Sequence, residues 1–240
     1  MKFAILGDIH ANLDALEAVL ADADARGATH HVCIGDVVGY NANPHECVAR
    51  IQGLECPVVK GNHDEEASAD TEIVGLNPLA QAALLWTREN LDDDDKRWLR
   101  ELRLVRQVRD FTVVHATLDT PGSWAYVLNK FDAMASFSYQ FTQVCFFGHT
   151  HVPRVYVKGL SVTMETAEQT VIEPGRKYFI NVGSVGQPRD GDWRAAYVLY
   201  DMEAGEATLH RVEYDIASAQ RKILDAGLPP QLAERLSIGK

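Results

Sequence analysis

The sequence predicts an α/β (α+β) protein in which two packed β-sheets carry helices on their outer faces. Short apolar runs typical of buried strands recur along the 240 residues. The first three runs each end in a glycine followed by polar residues, and helical segments join them in the β-α-β-α-β order of α/β proteins. The chain shows no internal repeat or linker, so we expect a single domain spanning 1–240.

The first part of the chain contains three predicted strands and two predicted helices. The strands are residues 2–6, 31–34 and 57–60. Asn12 is a favourable N-cap for the first helix, whose apolar residues recur at helical spacing until Gly27. Asn43, Pro44 and Glu46 match a capping box with proline in the first turn, and they predict the start of the second helix.

The segment from about 65 to 102 is predicted to be helical, and we expect it either to cap the site or to flank the core. Asn77 and Pro78 open one of its helices. The four aspartates at 92–95 are typical of the dipole-favoured first turn of another helix, and we prefer this interpretation to a metal site.

Strands dominate the pattern from residue 104 onward. The first two, 104–109 and 111–115, are expected to form a hairpin. The other expected strands are 144–147, 152–158, 161–164, 170–172, 177–182, 195–200 and 206–214. Helices are expected near 132–139, from about 215 and around 231.

Composition narrows the class of protein. Apolar residues make up 46% of the chain, which is enough for a sizeable core. The net charge of −11, from 34 acidic and 23 basic residues, argues against a long nucleic acid as a partner. An anionic substrate fits this charge only where bound cations invert the local field.

The cysteines and the lengths of the apolar runs indicate in which compartment we expect the protein. The four cysteines form no C-x-x-C pair, which fits a reducing compartment. The N-terminal apolar run is too short for a signal peptide, and no later run is long enough to span a bilayer. We therefore expect a soluble cytoplasmic protein that does not engage a membrane, with a homodimer as the base-rate oligomer.

Side chains that bind metals follow many of the predicted strands. Asp36 is central among them, because Gly35 and Gly39 on either side let the backbone turn sharply after a buried strand. The full set is Asp8, His10, Asp36, Asn62, His63, His115, His149 and His151. It contains five of the nine histidines, a concentration that core packing explains poorly.

The mixture of donors indicates the kind of metal. Carboxylate, amide and imidazole donors together suit first-row divalent ions, namely Mn, Fe, Zn, Co or Ni. Seven ligands are too many for one ion and suit two ions that share Asp36, with His63 left over. Two ions about 3.5–4 Å apart clamp a phosphoryl group and lower the pKa of a bridging water. The positive charge of the two ions would also make an anionic substrate compatible with the acidic composition of the chain.

Five motifs in order resemble the calcineurin-like metallophosphoesterase superfamily: GDIH at 7–10, GDVVG at 35–39, GNHD at 61–64, the strand-terminal His115, and GHTH at 148–151. The chain is similar in particular to the compact bacterial and archaeal phosphoesterases of this superfamily. The resemblance implies a β-sandwich flanked by helices, with two metals, Mn or Fe by preference, at the strand ends. It implies hydrolysis of a small phosphate ester, either a monoester or a diester and including nucleotides, by in-line attack of a hydroxide that bridges the metals.

The resemblance also implies a role for each matching residue. It implies that the first metal is bound by Asp8, His10 and His151. The second metal would be bound by Asn62, His115 and His149, and Asp36 would bridge the two. His63 would face the phosphate and stabilise the transition state or protonate the leaving oxygen. Asp36 and His63 are therefore the catalytic candidates.

Two positions depart from the usual motifs. Asp64 stands where glutamate is also common, which is a small change at a position that supports the ligands. Ala116 and Thr117 follow His115 where glycine is often found, and this leaves the local backbone path open.

Three further residues are candidate substrate contacts: Tyr40, Asn41 and Arg189. Arg189 lies in a glycine-rich loop, and arginine suits bidentate contact with phosphate. The alternative is that Arg189 pairs with Asp190 or Asp192 beneath the metal loops.

A scaffold of the same fold without activity is the alternative function. The presence of His63 and of all seven ligands favours an enzyme over a scaffold. A phosphomonoester, a phosphodiester, a dinucleoside polyphosphate and a phosphoprotein all remain open as substrates, because a fold does not determine a substrate.

Overall fold

Two mixed β-sheets pack face to face in the computed structural model, which describes residues 1–73 and 75–240. The strands in this part of the chain are β1 (Lys2–Leu6), β2 (His30–Cys33), β3 (Val105–Val108), β4 (Phe111–Val114), β5 (Val144–Phe147), β6 (Arg154–Lys158), β7 (Val162–Glu165), β8 (Gln169–Val171), β9 (Lys177–Asn181), β10 (Ala195–Asp201) and β11 (Glu206–Val212). The helices are α1 (Leu13–Ala25), α2 (Pro44–Gln52), α3 (Asn62–Ser68), α4 (Pro78–Glu89), α5 (Asp93–Glu101), α6 (Lys130–Tyr139), α7 (Ile216–Asp225) and α8 (Pro230–Leu236).

The strand order brings several strand ends to one edge of the molecule. The first sheet has the order β2-β1-β10-β11-β8, and the second has the order β3-β4-β5-β9-β6-β7. β1 is parallel to β2, and β5 is parallel to both β4 and β9, so the loops that follow each parallel group leave on the same side. The backbone N–H of Val185, after β9, donates to the carbonyl of Gly7, after β1, at 3.0 Å and joins the two edges.

The alternation of side chains along β1 explains how the layers pack. Phe3 and Ile5 point into the apolar core between the sheets, where Phe3 meets Phe111 edge-on with 5.2 Å between the ring centroids. Ala4 and Leu6 point to the opposite face, against α1 and α2. Each large buried side chain contributes about 1.5–3 kcal/mol. Helix α6 covers the outer face of the second sheet, so the predicted arrangement of two sheets with helices outside is confirmed.

The segment 65–102 is largely helical, as predicted, and forms most of α3 together with α4 and α5. Helix α3 begins earlier than expected, at Asn62, so the GNHD motif forms its first turn. Helix α4 contributes Ala80 and Ala83 to an apolar cluster that surrounds Tyr40 together with α7 and α8. None of the helices in the described residues is long and apolar enough to cross a membrane.

Two local predictions are wrong. Residues 57–60 form only isolated bridges, from Val58 to Cys33 and from Val59 to Arg103. The pairing is short because α3 begins directly after Gly61 and takes the chain away from the sheet. Helix α2 begins where Asn43 and Pro44 predict, but the expected capping bond is absent, because the Asn43 side chain donates instead to Glu46 Oε1 at 3.1 Å.

Candidate active site

The predicted metal ligands converge where the loops after β1, β2, β4 and β5 meet. Six of them are almost completely buried, at 5% exposure or less: Asp8, His10, Asp36, His115, His149 and His151. Asn62 is partly buried at the first position of α3. The side chains form two overlapping groups that share Asp36, and the potential ligand atoms within each group lie within 4.8 Å of one another. We call them the first and the second ligand group.

The first ligand group consists of Asp8, His10, His151 and Asp36. The Nδ1–H of His10 donates to a backbone carbonyl at 3.1 Å, and that of His151 donates to another at 2.6 Å. Their Nε2 atoms therefore face each other at 3.0 Å with lone pairs on both sides. Two such lone pairs repel unless a cation lies between them, so the donor set fits a metal ion.

The second ligand group consists of Asp36, His115 and His149, and we add Asn62 to it. His115 donates from Nδ1 to a backbone carbonyl at 2.9 Å, and its Nε2 lies 3.3 Å from Asp36 Oδ2 without hydrogen-bond geometry. The Oδ1 atom of Asn62 is buried and has no hydrogen-bond partner among the described residues. A buried oxygen in this state suits a cation.

Residues of the loop after β4 support the second ligand group. The Nε2–H of His149 donates to the carbonyl of Trp124 at 2.9 Å, which leaves Nδ1 with the free lone pair. The indole of Trp124 donates to Glu65 on α3 at 2.9 Å. Trp124 therefore connects a histidine of the second ligand group to the helix that carries Asn62 and His63.

The backbone is strained at the ligands. Ten non-glycine residues in the described part of the chain have positive φ, and five of these are predicted ligands: Asp8 (50°), His10 (50°), Asp36 (51°), His149 (66°) and His151 (59°). Each such conformation costs roughly 1 kcal/mol or more and persists only where the surroundings enforce it. The turns thus direct these side chains toward one point at the expense of stability.

At two motif positions only glycine fits, because the backbone lies directly against a carboxylate of another loop. A Cβ atom on Gly148 would overlap the carboxylate of Asp8, and one on Gly61 would overlap the carboxylate of Asp36. These glycines allow the backbone of one loop to lie against a predicted ligand on another.

Asp64 holds the loop that carries Asp36. Its buried carboxylate accepts from the backbone N–H groups of Asp36 (2.8 Å), Val37 (2.8 Å) and Gly61 (3.0 Å). Burial and the charge of Asp36 raise the pKa of Asp64 to about 7. This geometry gives the last residue of the GNHD motif a structural role beside the ligands.

Most of the imidazoles are kept neutral. Burial lowers the pKa of His63 and that of His149 to about 4. His115 differs, because burial lowers its pKa but Asp36 and Asp8 outweigh this and raise it to about 9. Histidine binds a metal only as the neutral imidazole, so a metal bound at His115 would have to displace its proton.

The candidate substrate contacts occupy different positions. The ring centroid of Tyr40 lies 4.7 Å from that of His10 and 4.5 Å from that of His63. Asn41 is buried, and its Nδ2 donates to the backbone carbonyl of His10 at 2.8 Å, so it ties two loops together. Arg189 donates to the side chain of Gln187 at 2.8 Å.

The alternative pairing of Arg189 does not form. Asp190 pairs with Arg211, and Asp192 pairs with Arg194 at 2.7 Å. The guanidinium of Arg189 instead lies 5.5 Å from the centroid of the Tyr40 ring.

Sequence reasoning missed three residues that line the site. Tyr126 is 53% exposed and stacks on His149 with 4.3 Å between the ring centroids. Trp124 and Arg235 are the others, and Arg235 lies 5.9 Å from the Tyr40 ring. The aromatic pair in the loop after Pro121-Gly122 offered a local signal, whereas nothing in the α8 sequence indicated a link to the site.

Comparisons with known proteins identify the family. The family model described as the calcineurin-like phosphoesterase superfamily domain matches residues 1–205, and the chain belongs to this superfamily. The chain is 36% identical over 241 residues to the uncharacterized protein MJ0912 of Methanocaldococcus jannaschii. The alignment covers 99% of this chain and 98% of the relative.

Two solved structures have the same fold. A metallophosphoesterase from Sphaerobacter thermophilus is 38% identical and superposes with a TM-score of 0.88, over 100% of this chain and 99% of the other. The hypothetical protein PH1004 from Pyrococcus horikoshii superposes with a TM-score of 0.80 over 100% and 98% of the two chains, and at 19% identity it shows the shared fold alone. The calcineurin-like fold predicted from the motifs is confirmed.

Proposed function

We propose that this protein hydrolyses a small phosphate ester by in-line attack of water at a site for two divalent metal ions. The observation that carries the proposal is the pair of ligand groups that share the buried carboxylate of Asp36. Membership of the calcineurin-like phosphoesterase superfamily supports the reaction class. We propose that residues 1–240 act as one catalytic unit.

Each ligand group would hold one ion. Asp8, His10 and His151 would bind the first ion, Asn62, His115 and His149 would bind the second, and Asp36 would contact both. Two such ions lower the pKa of water and stabilise the entering and leaving oxygens of an in-line displacement. The donors suit the first-row divalent ions Mn, Fe, Zn, Co and Ni, and the resemblance to the superfamily makes Mn or Fe our preference among them.

Asp36 is suited to contact two cations at once. Burial opposes its charge, but the charge of His115 outweighs this effect and holds the pKa of Asp36 well below its usual range. The backbone N–H of His63 donates to Asp36 Oδ1 at 2.8 Å and fixes the carboxylate. The other oxygen faces the histidines, with His10 Nε2 at 3.5 Å from Oδ2.

His63 would act on the phosphoryl group and would not bind metal. Its ring is buried beside Tyr40 and His10, at 4.5 and 4.7 Å between centroids. A neutral imidazole in this position donates one N–H to an oxygen that gains charge in the transition state. His63→Ala should lower turnover while both ions remain bound, and unchanged turnover would exclude this role.

The first test is metal-dependent hydrolysis. The protein is stripped with a chelator, Mn is added back stepwise, and an aryl phosphate monoester is compared with a bis-aryl phosphodiester. Asp36→Asn should abolish the Mn-dependent hydrolysis, because it weakens both ions. The matched control is Asp94→Asn, since the Asp94 side chain is 82% exposed on α5.

The outcomes separate the two functions considered for this fold. Activity that depends on Mn and is lost only in Asp36→Asn supports the proposed hydrolysis. The ratio of the monoester rate to the diester rate then shows which of the two ester classes the enzyme prefers. Two bound ions without hydrolysis of any phosphate ester would favour a scaffold instead.

A further inference from the structure

Two arginines outside the ligand groups converge on Tyr40. Arg189 comes from the loop after β9, and its guanidinium carbon lies 5.5 Å from the centroid of the Tyr40 ring. Arg235 comes from α8, and its guanidinium carbon lies 5.9 Å from the same centroid. Two distant parts of the chain thus bring positive charges to one buried ring.

Neither arginine has a side-chain carboxylate within salt-bridge distance among the described residues. Arg189 donates to the neutral amide oxygen of Gln187 at 2.8 and 3.2 Å, whereas Arg235 donates to the terminal backbone oxygen of Lys240 at 2.7 Å, so of the two only Arg189 bonds solely to a neutral side chain. The adjacent Asp190 does not neutralise Arg189, because it pairs with Arg211. This is unexpected in a chain with 34 acidic and 23 basic residues.

The two arginines lie beside the proposed reaction site. His10 and His63 are near the same ring, with their centroids 4.7 and 4.5 Å from that of Tyr40. The backbone N–H of Arg189 also donates to the carbonyl of His151 at 3.2 Å, so its loop is attached to a proposed ligand. Tyr40 is therefore a neighbour both of the two arginines and of two side chains beside the place where a phosphoryl group would react.

The two positive charges beside Tyr40 favour the binding of an anion. Burial and the neighbouring Arg189 lower the pKa of Arg235, which reflects the cost of holding two like charges close together. A phosphate group that accepted hydrogen bonds from both guanidiniums would offset this repulsion, since arginine presents a planar fork of donors that matches phosphate oxygens.

We propose that Arg189 and Arg235 form a second phosphate subsite beside Tyr40, and that the substrate is a phosphate ester whose ester arm carries a further phosphate group. The inference rests on the proposed phosphoesterase function and names its substrate class. Arg189 and Arg235 would bind the phosphate that does not react, while the ligand groups and His63 act on the phosphorus that does.

A purely structural role is the competing explanation. The contact between Arg235 and Tyr40 could serve only to attach α8 to the rest of the protein. In that case, replacing Arg235 would change the stability but not the preference among substrates.

The test compares two p-nitrophenyl phosphodiesters with the same leaving group. Their second arm is either 2-methoxyethyl, which carries no nucleophilic hydroxyl, or 2-phosphoethyl, and the readout is the ratio of kcat/KM values for release of p-nitrophenol. The variants are Arg189→Gln and Arg235→Gln in the Mn-loaded full chain. The matched control is Arg176→Gln, because Arg176 is half exposed and pairs with Glu173 at 3.1 Å.

Wild type and Arg176→Gln should prefer the 2-phosphoethyl diester by about tenfold or more, the usual effect of charge-assisted hydrogen bonds. Each of the two subsite variants should bring the ratio close to one. A wild-type ratio near one, or a ratio that persists in both variants, would overturn the subsite while the phosphoesterase function stands.

If neither diester is hydrolysed, the proposed function fails and calorimetry decides the subsite separately. Tighter binding of the 2-phosphoethyl diester that is lost in Arg235→Gln would support the subsite. Equal binding of the two diesters would overturn it.

Discussion

The first and the second ligand group differ in what holds them in place. In the first, Asp8, His10 and His151 are completely or almost completely buried, and the histidines are oriented by carbonyls of Val38 and Gln187. These carbonyls belong to loops that directly follow strands or lie against them. The first group is therefore built on the rigid edge of the two sheets.

The second ligand group depends on less regular parts of the chain. Asn62 is only partly buried at the start of α3, and His149 is oriented by the carbonyl of Trp124, which has a left-handed φ of 54° in an irregular loop. The group also holds the one imidazole of the site with a strongly raised pKa, that of His115. The comparison teaches that two sites sharing one carboxylate need not be equally preorganised, and we expect the second ion to bind more weakly.

Gly148→Ala should break the first ligand group with the largest effect. The new Cβ would overlap the Asp8 carboxylate and displace it. First-ion affinity should fall toward the upper end of the roughly 10- to 100-fold loss that follows disturbed ligand support. Calorimetric titration with Mn measures this. Gly159→Ala is the control, because a Cβ there has no atom within 4 Å, and equal affinities in both variants would refute the steric argument.

The pH dependence of metal binding should distinguish the two groups. The pKa of His115 is raised to about 9, so its proton stabilises the metal-free fold below pH about 6.5, and this contribution is lost as the pH rises through about 9. Binding of the second ion should therefore release about one proton at pH 7. Titrations in buffers of different ionisation enthalpy count the protons, and equal counts for both ions would contradict the difference.

Trp124→Phe should affect the second ligand group alone, with the smallest effect. The backbone carbonyl that orients His149 remains, but the indole bond to Glu65 at 2.9 Å is lost. Second-ion affinity should fall by about threefold, less than for direct loss of a ligand's partner. Trp193→Phe is the control, since Trp193 packs near Tyr214. If the affinity for the first ion fell more than that for the second, the loop that carries Trp124 would support the first ligand group, contrary to this account.

The sequence predicts well what contiguous residues determine. The apolar runs before Gly7, Gly35 and Gly148 form β1, β2 and β5, and the polar residues after them lie at the predicted edge. Asn12 caps α1 by accepting from Ala15 at 3.1 Å, as its position indicates. In each case the physical cause lies within a few residues, so a local pattern contains it.

What the sequence could not predict depends on contacts between distant residues. The bond between His149 and Trp124 spans 25 positions, and the one between Trp124 and Glu65 spans 59. Residues 57–60 resemble a strand locally, but the start of α3 limits their pairing to bridges. The assigned metal and substrate roles stay predictions, because they depend on ions and ligands.

Electron paramagnetic resonance of the Mn-loaded protein tests the central claim most directly, namely that two ions share Asp36. The chelator-stripped chain would receive two equivalents of Mn, with Asp36→Asn and Asp94→Asn in parallel. Two ions joined by a carboxylate should give a spin-coupled signal in the wild type and in Asp94→Asn, but not in Asp36→Asn. A spectrum of isolated Mn in the wild type, with one ion bound per chain, would contradict the account.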